Sequence, residues 1–291
     1  MELILLGTGC PVVSTVRYGP AALVTHEGVS VLVDCGSGVT QRLVGAGMPG
    51  RDIDAVLLTH LHTDHVIDLY QLIVSAWHQG RDRPQRVFGP KGTKAYVDGL
   101  MALWAREREQ RIEHEKRPSV AALDVEVTEI ADGFTLDLSG LSMRAFEVDH
   151  RPVRHALGFA FAGGGKRLVI SGDTRPCDAL RNAAQGADVL LNEVFIHREM
   201  PVIAGVRSAE TVENVAAYHT LSEDVGKLAR EAGVGCLVLT HFVPPGCDRD
   251  ALLAEVRADF DGPVIVGEDL MRLDLDAMRV RMGEFVVGLG G

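Results

Sequence analysis

The chain has 291 residues, 46 % of them apolar and 24 % charged, the balance of a globular protein with one large core or two small ones. A formal net charge of −11 argues against a generic grip on nucleic acid, whose phosphates call for a basic surface. No apolar run approaches the length of a membrane span, and the first six residues lack the cationic start of a signal peptide, so a cytoplasmic protein with no membrane contact is expected.

Residues 2–6 read as a first strand, closed by the turn-like Gly7-Thr8-Gly9. Residues 21–25, 30–33 and 55–59 read as further strands. The third runs into Asp34-Cys35-Gly36-Ser37-Gly38, a strand end followed by a glycine turn. A helix is expected over 40–46. Another is expected over 66–77, where Leu69, Leu72, Ile73 and Trp77 recur at helical spacing. Between the fourth strand and this helix stands His60-Leu61-His62-Thr63-Asp64-His65, with four metal-ligating side chains in six positions. Ionisable groups crowded beside a buried strand are costly to desolvate, and a metal removes that cost. Imidazole and carboxylate donors suit zinc and related divalent ions.

The segment 104–117 is a dense mixed-charge run. Its simpler reading is a solvated helix laced with salt bridges. The sharper reading is a lid or dimer arm, with Leu100, Met101, Leu103 and Trp104 as its apolar face. The stretch 75–119 is read as a helical insertion that shapes a pocket or a dimer contact. Residues 141–148, 157–162 and 167–171 then read as strands, the last two joined by a turn at Gly163-Gly164-Gly165. Residues 189–191 and 236–240 read as buried strands, with a helix over 222–232 between them. No linker divides the chain, so one domain over 1–291 is expected, with two sheets covered by helices. The five cysteines are odd in number and lack CxxC spacing. They read as reduced thiols, with Cys35 and Cys236 in the core.

Three more ligand types follow apolar strands: His150, Asp173 and His241. With these in place the chain resembles the metallo-β-lactamase superfamily, marked by HxHxDH and then a His, an Asp and a final His. The resemblance runs from Leu6-Gly7-Thr8-Gly9 to His241. It implies an αββα sandwich of two mixed sheets flanked by helices, with a binuclear site along one edge. On that resemblance His60, His62 and His150 hold one metal, and Asp64, His65 and His241 hold the other. Asp173 bridges them, and Asp34 supports the ligands. Two divalent ions, zinc foremost with manganese or iron as substitutes, would share a hydroxide that attacks the substrate. Asp64 would orient that hydroxide or take its proton.

Leu6-Gly7-Thr8-Gly9, Gly89-Pro90-Lys91-Gly92 and Ser171-Gly172-Asp173-Thr174 resemble the ribonuclease Z-like branch. Asn192-Glu193-Val194 falls where that branch has His-Glu-Ala, and Tyr218-His219-Thr220 where it has a His and a small hydroxyl residue. The resemblance gives Glu193 and His219 a part in protonating the leaving group. The tRNA-processing members carry a long insertion between the third His and the bridging Asp, and here only 157–171 lies there. That shortness and the acidic charge argue against tRNA. The expectation is a homodimeric hydrolase of a small-molecule anionic ester, a phosphodiester or aryl sulfate. A ribonuclease Z-type endoribonuclease and a lactonase or β-lactamase are the alternatives. Arg151, Arg154, His155, His197 and Arg198 are candidates to bind the anionic group. An iron redox enzyme and a non-catalytic scaffold rank below these.

Overall fold

The computed structural model describes residues 1–289. The chain first lays down β1 (Glu2–Gly7), β2 (Ala21–His26), β3 (Val29–Val33), β4 (Ala55–Leu57), β5 (Gln85–Gly89) and β6 (Val125–Glu129). A second sheet follows: β7 (Thr135–Leu138), β8 (Leu141–Glu147), β9 (Leu157–Gly163), β10 (Lys166–Ile170), β11 (Val189–Phe195), β12 (Leu237–Val243) and β13 (Val264–Val266). The chain then returns to the first sheet with β14 (Arg272–Asp274), β15 (Arg279–Met282) and β16 (Phe285–Gly288). The strand orders are β16-β15-β14-β1-β2-β3-β4-β5-β6 and β13-β12-β11-β10-β9-β8-β7.

The central strands are apolar on both faces because both are covered. In β1, Leu3 and Leu5 meet the opposite sheet, while Ile4 and Leu6 meet helices. The outer face of the first sheet packs against α1 (Val39–Gly45), α3 (Leu69–His78) and α4 (Thr93–Leu103), through Leu43, Leu72, Ile73, Trp77 and Val97. The single turn α2 (Thr63–Val66) precedes α3, and α5 (Ala105–Glu115) follows α4. On the second sheet lie α6 (Asp178–Ala184), α8 (Ser222–Ala232) and α9 (Arg249–Arg257), through Leu180, Val225, Leu228, Leu252 and Val256. Helix α7 (Ala209–Ala216) has a small cluster of its own with Phe195 and Val243. Two mixed sheets flanked by helices make the expected αββα sandwich. No helix among the described residues is long and apolar enough to cross a membrane.

Several elements depart from their expected form. The charged run forms α5, which buries no residue and is held by half-buried pairs of Arg111 with Glu107 and Glu115. This is the solvated helix. It is separated from α4 at Trp104, and Leu100 and Met101 pack on the outer cluster of the first sheet while Leu103 stays exposed. Strands β5, β6, β7 and β13 to β16 were not foreseen, and the buried β5 falls inside the stretch 75–119 that is read as a helical insertion. The others are short, and most are polar or half-exposed, which suits sheet edges and leaves little hydrophobic pattern to read. Strands β11 and β12 run on past the apolar stretches that announce them, to Phe195 and Val243. Cys35 and Cys236 are core residues, as expected.

Strands β3, β4, β5 and β6 run parallel, as do β10, β11, β12 and β13. Side chains just past the ends of parallel strands collect at one edge, where α/β proteins build their sites.

Candidate active site

The loop after β4 carries His60, His62, Asp64 and His65. Its path is fixed by the chain after β3: the Cys35 amide donates to the His65 carbonyl at 2.7 Å. Gly36 makes this approach feasible, since a Cβ there would sit 2.4 Å from the Asp64 carbonyl oxygen. Asp34 does the rest. Its carboxylate accepts from the Thr59 amide (2.8 Å), the Thr59 hydroxyl (2.8 Å) and the His65 Nδ1–H (2.8 Å). The Thr59 Oγ1 in turn accepts from His60 Nδ1 at 3.0 Å. Both imidazoles are thus tied back at Nδ1. Their buried Nε2 atoms have no hydrogen-bond partner. Partnered Nδ1 and free Nε2 is the arrangement that orients imidazole toward a metal. We expect Asp34→Ala to weaken divalent-ion affinity by about 10–100-fold. Competitive chelator titration checks this, and an unchanged affinity would show that Asp34 only shapes the turn.

His150 enters from beyond β8, donating Nδ1–H to the Tyr218 carbonyl at 3.0 Å and turning Nε2 inward, 3.4 Å from His62 Nδ1. Asp173 follows β10 through Gly172 at φ +62°, where a Cβ would lie 2.6 Å from the Leu157 carbonyl oxygen. This left-handed turn suits glycine. It places Asp173 Oδ2 at 3.3 Å from His241 Nε2, 3.4 Å from His65 Nε2, 3.8 Å from His60 Nε2 and 3.9 Å from His150 Nε2. Asp64 Oδ2 lies 3.3 Å from His241 Nε2 and 3.6 Å from His65 Nε2.

His241 does not lie past a strand end but within β12. Glu193 of β11 pairs with Thr240 and Val194 with Phe242, so His241 is an extra, unpaired residue with φ +45°. This is a β-bulge. Leu237 and Leu239 face the helices, and strict alternation would send His241 after them. The bulge turns it toward Asp64 and Asp173 and returns Phe242 to the helix side.

Glu193 lies on the inter-sheet side of β11. Its Oε1 accepts from His219 Nδ1 (2.9 Å) and from the Thr174 and Thr220 amides (both 3.0 Å). Donor atoms of His219, Asp173 and His241 all lie within 4.8 Å of one another. Thr174 and Thr220, which cage the carboxylate, appear in the sequence only as motif companions, with no role toward Glu193 assigned to them. Their place directly after Asp173 and His219 is the trace they leave there.

Burial, reinforced by the neighbouring His65, holds His60 well below the ordinary imidazole pKa. Burial likewise lowers His62 and His150. It works against protonated His65 too, but the Asp173 and Asp34 carboxylates overcome it and hold His65 well above its usual value. Burial alone would raise Asp173, yet the His241 and His65 imidazoles keep it well below the carboxylate range. Burial works upward on Asp64 too, but the His241 hydrogen bond and the His65 and His241 charges together outweigh it, and its pKa also falls. For His219 the Glu193 carboxylate outweighs burial, and its pKa rises. Neutral imidazoles and ionised carboxylates are the forms that bind metal.

The donors form the groups His60, His62, His150, Asp173 and Asp64, His65, His241, each within 4.8 Å. With orphaned nitrogens aimed into the cluster, this set suits a pair of divalent ions. Arg151 and Arg175 are instead spent on Asp149, His155 lies near Glu147, His197 on Glu213, and Arg198 on Glu199 and Glu255, while Arg154 is exposed. The five basic candidates Arg151, Arg154, His155, His197 and Arg198 stay on the surface.

Fold and site together define a metal-dependent hydrolase of metallo-β-lactamase fold. The family model described as a β-lactamase superfamily domain matches residues 30–242. The chain is 36 % identical over 282 residues to a ribonuclease Z of Mycobacterium marinum, covering 95 % of this chain and 99 % of that protein. It is 35 % identical over 285 residues to a ribonuclease Z of Mycobacterium bovis, covering 96 % and 100 %. The chain therefore belongs to the ribonuclease Z family of the β-lactamase superfamily. Among solved structures, human tRNase Z, short form, superposes with TM-score 0.70 at 21 % identity over 94 % of this chain and 99 % of that one. The metallo-β-lactamase fold protein YhfI of Bacillus subtilis gives 0.71 at 21 % identity over 94 % and 99 %. At such identities the two structures speak to fold alone.

The family membership corrects two expectations. A small anionic ester as substrate, with tRNA set aside, rested on the short segment between His150 and Asp173 and on the net charge. Ribonuclease Z relatives align over nearly their whole length with this chain, so they are no longer than it is, and a long insertion is no condition of membership. The net charge is a sum over the whole surface and says nothing of where cations gather.

Proposed function

We propose that this chain is an endoribonuclease of the ribonuclease Z type, hydrolysing a phosphodiester bond in tRNA. The observation that carries this reading is the near full-length identity to proteins named ribonuclease Z. The Glu193–His219 pair beside Asp173 supports it, since it offers a proton donor next to the anionic cluster. His60, His62 and His150 would hold one divalent ion and Asp64, His65 and His241 the other, with Asp173 between. Zinc fits this nitrogen-rich, thiolate-free set, and manganese or iron can replace it. When bound, such a pair supplies a hydroxide nucleophile near neutral pH and neutralises the charge on the phosphate oxygens.

The residues of the chain do the rest. Asp64 holds the proton of the attacking water or aligns it. His219 holds a proton on its ring, kept there by Glu193, and delivers it to the oxygen that departs as the P–O bond breaks. Thr174 and Thr220 fix Glu193 through their amides, and so fix the direction in which His219 presents that proton. The thiols, unpaired among the described residues, suit a reducing cytoplasm, and a homodimer is the assembly we propose.

The test is cleavage of a tRNA precursor by the purified protein. Cleavage at one position is expected, lost on chelation and restored by zinc or manganese. A fully metal-loaded protein that turns over p-nitrophenyl esters yet leaves tRNA precursors intact would overturn the reading.

A further inference from the structure

A cavity of about 1020 Å³ lies apart from the cluster of histidines. It lies between α1, the loop before β2 and the C-terminal hairpin, and four arginines line it: Arg17, Arg42, Arg272 and Arg281. Its two carboxylates are already engaged. Glu268 pairs with Arg249, and Asp269 accepts from the Thr8 hydroxyl (2.8 Å) and the Thr8 and Tyr18 amides (2.9 and 2.8 Å). In a chain of net charge −11, this is a concentration of cations in a concave surface.

Two of these arginines retain donors. Arg42 lies 3.4 Å from Asp269 without a hydrogen bond, and its guanidinium rests 3.9 Å above the Tyr18 ring. Arg281 is half-exposed, and its nearest carboxylate among the described residues is Glu2 at 3.8 Å. Arg17 and Arg272 are committed elsewhere, to Thr8 with the Gly267 carbonyl and to Glu2. They add charge to the basin and rigidity to its wall.

The basin is joined to the candidate active site. Thr15 and Arg17 line both it and a second groove of about 540 Å³, which passes Tyr18 and Ser37 to Thr63, Asp64 and Ile67. A chain-like ligand whose reacting bond lies at Asp64 can follow this groove into the arginines. Planar guanidinium forks match phosphate, and aromatic–arginine walls suit the faces of bases.

We propose that this basin binds the phosphates of the single-stranded RNA that flanks the cleaved bond, with Arg42 and Arg281 as the contacting side chains. The proposal rests on the ribonuclease reading and adds where the RNA leaves the site. Each arginine that pairs with a phosphate releases counterions and makes binding more salt-dependent.

The test is fluorescence anisotropy of the metal-loaded, full-length protein with two labelled tRNAs, one with a long single-stranded flank and one with the flank trimmed to a single nucleotide. Both carry a non-hydrolysable linkage at the cleavage position. For the long-flanked RNA, Arg281→Gln is expected to weaken binding by roughly three- to tenfold and to lower the slope of log affinity against log salt by about 1. For the trimmed RNA the variant should bind like the native protein. Arg42→Gln should act in the same direction. Should it fail to fold for want of its place on Tyr18, Arg281→Gln still decides. Arg257→Gln, exposed on α9, controls for loss of charge as such. An equal loss on both RNAs, an equal loss in Arg257→Gln, or no loss at all would overturn the basin as a flank site. A native protein that binds flanked RNA preferentially but cleaves none would sink the ribonuclease reading and leave the basin standing.

Discussion

Asp173→Asn is expected to lower tRNA cleavage by on the order of 10³-fold or more, several kcal/mol of lost transition-state charge stabilisation. Its Oδ2 lies within 3.9 Å of four imidazole nitrogens, those of His60, His65, His150 and His241. A neutral amide in that place removes the central negative charge and offers only one acceptor oxygen. Burial makes the loss worse, because Asp173 is shielded from the bulk solvent that could offset the missing charge. Metal analysis should show less than two ions per chain. Cleavage within tenfold of the native rate, with both ions retained, would show that Asp173 does not join the two groups of ligands.

His219→Ala is expected to slow cleavage of tRNA by about 10²–10⁴-fold, the range of a lost general acid. The effect should depend on the leaving group. A ribose oxygen leaves poorly without a proton, whereas p-nitrophenolate leaves readily without one. On bis-p-nitrophenyl phosphate the same variant should therefore lose far less, no more than about tenfold. Glu193→Gln should fall in the same pattern, because the amide no longer holds the proton on His219. Equal losses on both substrates would assign the pair to maintaining the site and not to delivering a proton.

Legibility in the sequence differed from residue to residue. His60, His62, Asp64 and His65 were legible because they share one loop, and the spacing of donors in a short loop is a local property. Glu193 and His219 were legible only through the company they keep, since a glutamate within the apolar β11 and a histidine before α8 mean little alone. The turn of His241 toward the site was not legible. It depends on the register of β12 against β11, forty-odd residues away in the chain, where one residue more on β12 than on its partner forms the bulge. Asp34 read as a turn residue with a supporting role, but its three donors come from Thr59 and His65 and converge on it only once β3 and β4 pair.

The two misjudged points, substrate and partner, rested on the short segment before Asp173 and on the net charge, and the second shows why a sum misleads. A net charge is a scalar, and a polyanion responds to a local field. Arg17 and Arg42 come from the start of the chain and Arg272 and Arg281 from its end, and they meet because β14 pairs with β1. Nothing in the linear order announces that meeting.

The sequence by itself determined the chemistry. Its donor types, their spacing and the apolar strands before them point to a divalent-metal site, because ligand identity and short-range spacing are written residue by residue, and hydrolysis follows from the family those motifs resemble. The tertiary structure alone decided which imidazole nitrogen faces inward, how His241 is turned, which carboxylate orients which histidine, and where cations collect. Those depend on strand register and sheet closure, which bring residues far apart in the chain to within hydrogen-bond distance and cannot be inferred from neighbours in sequence.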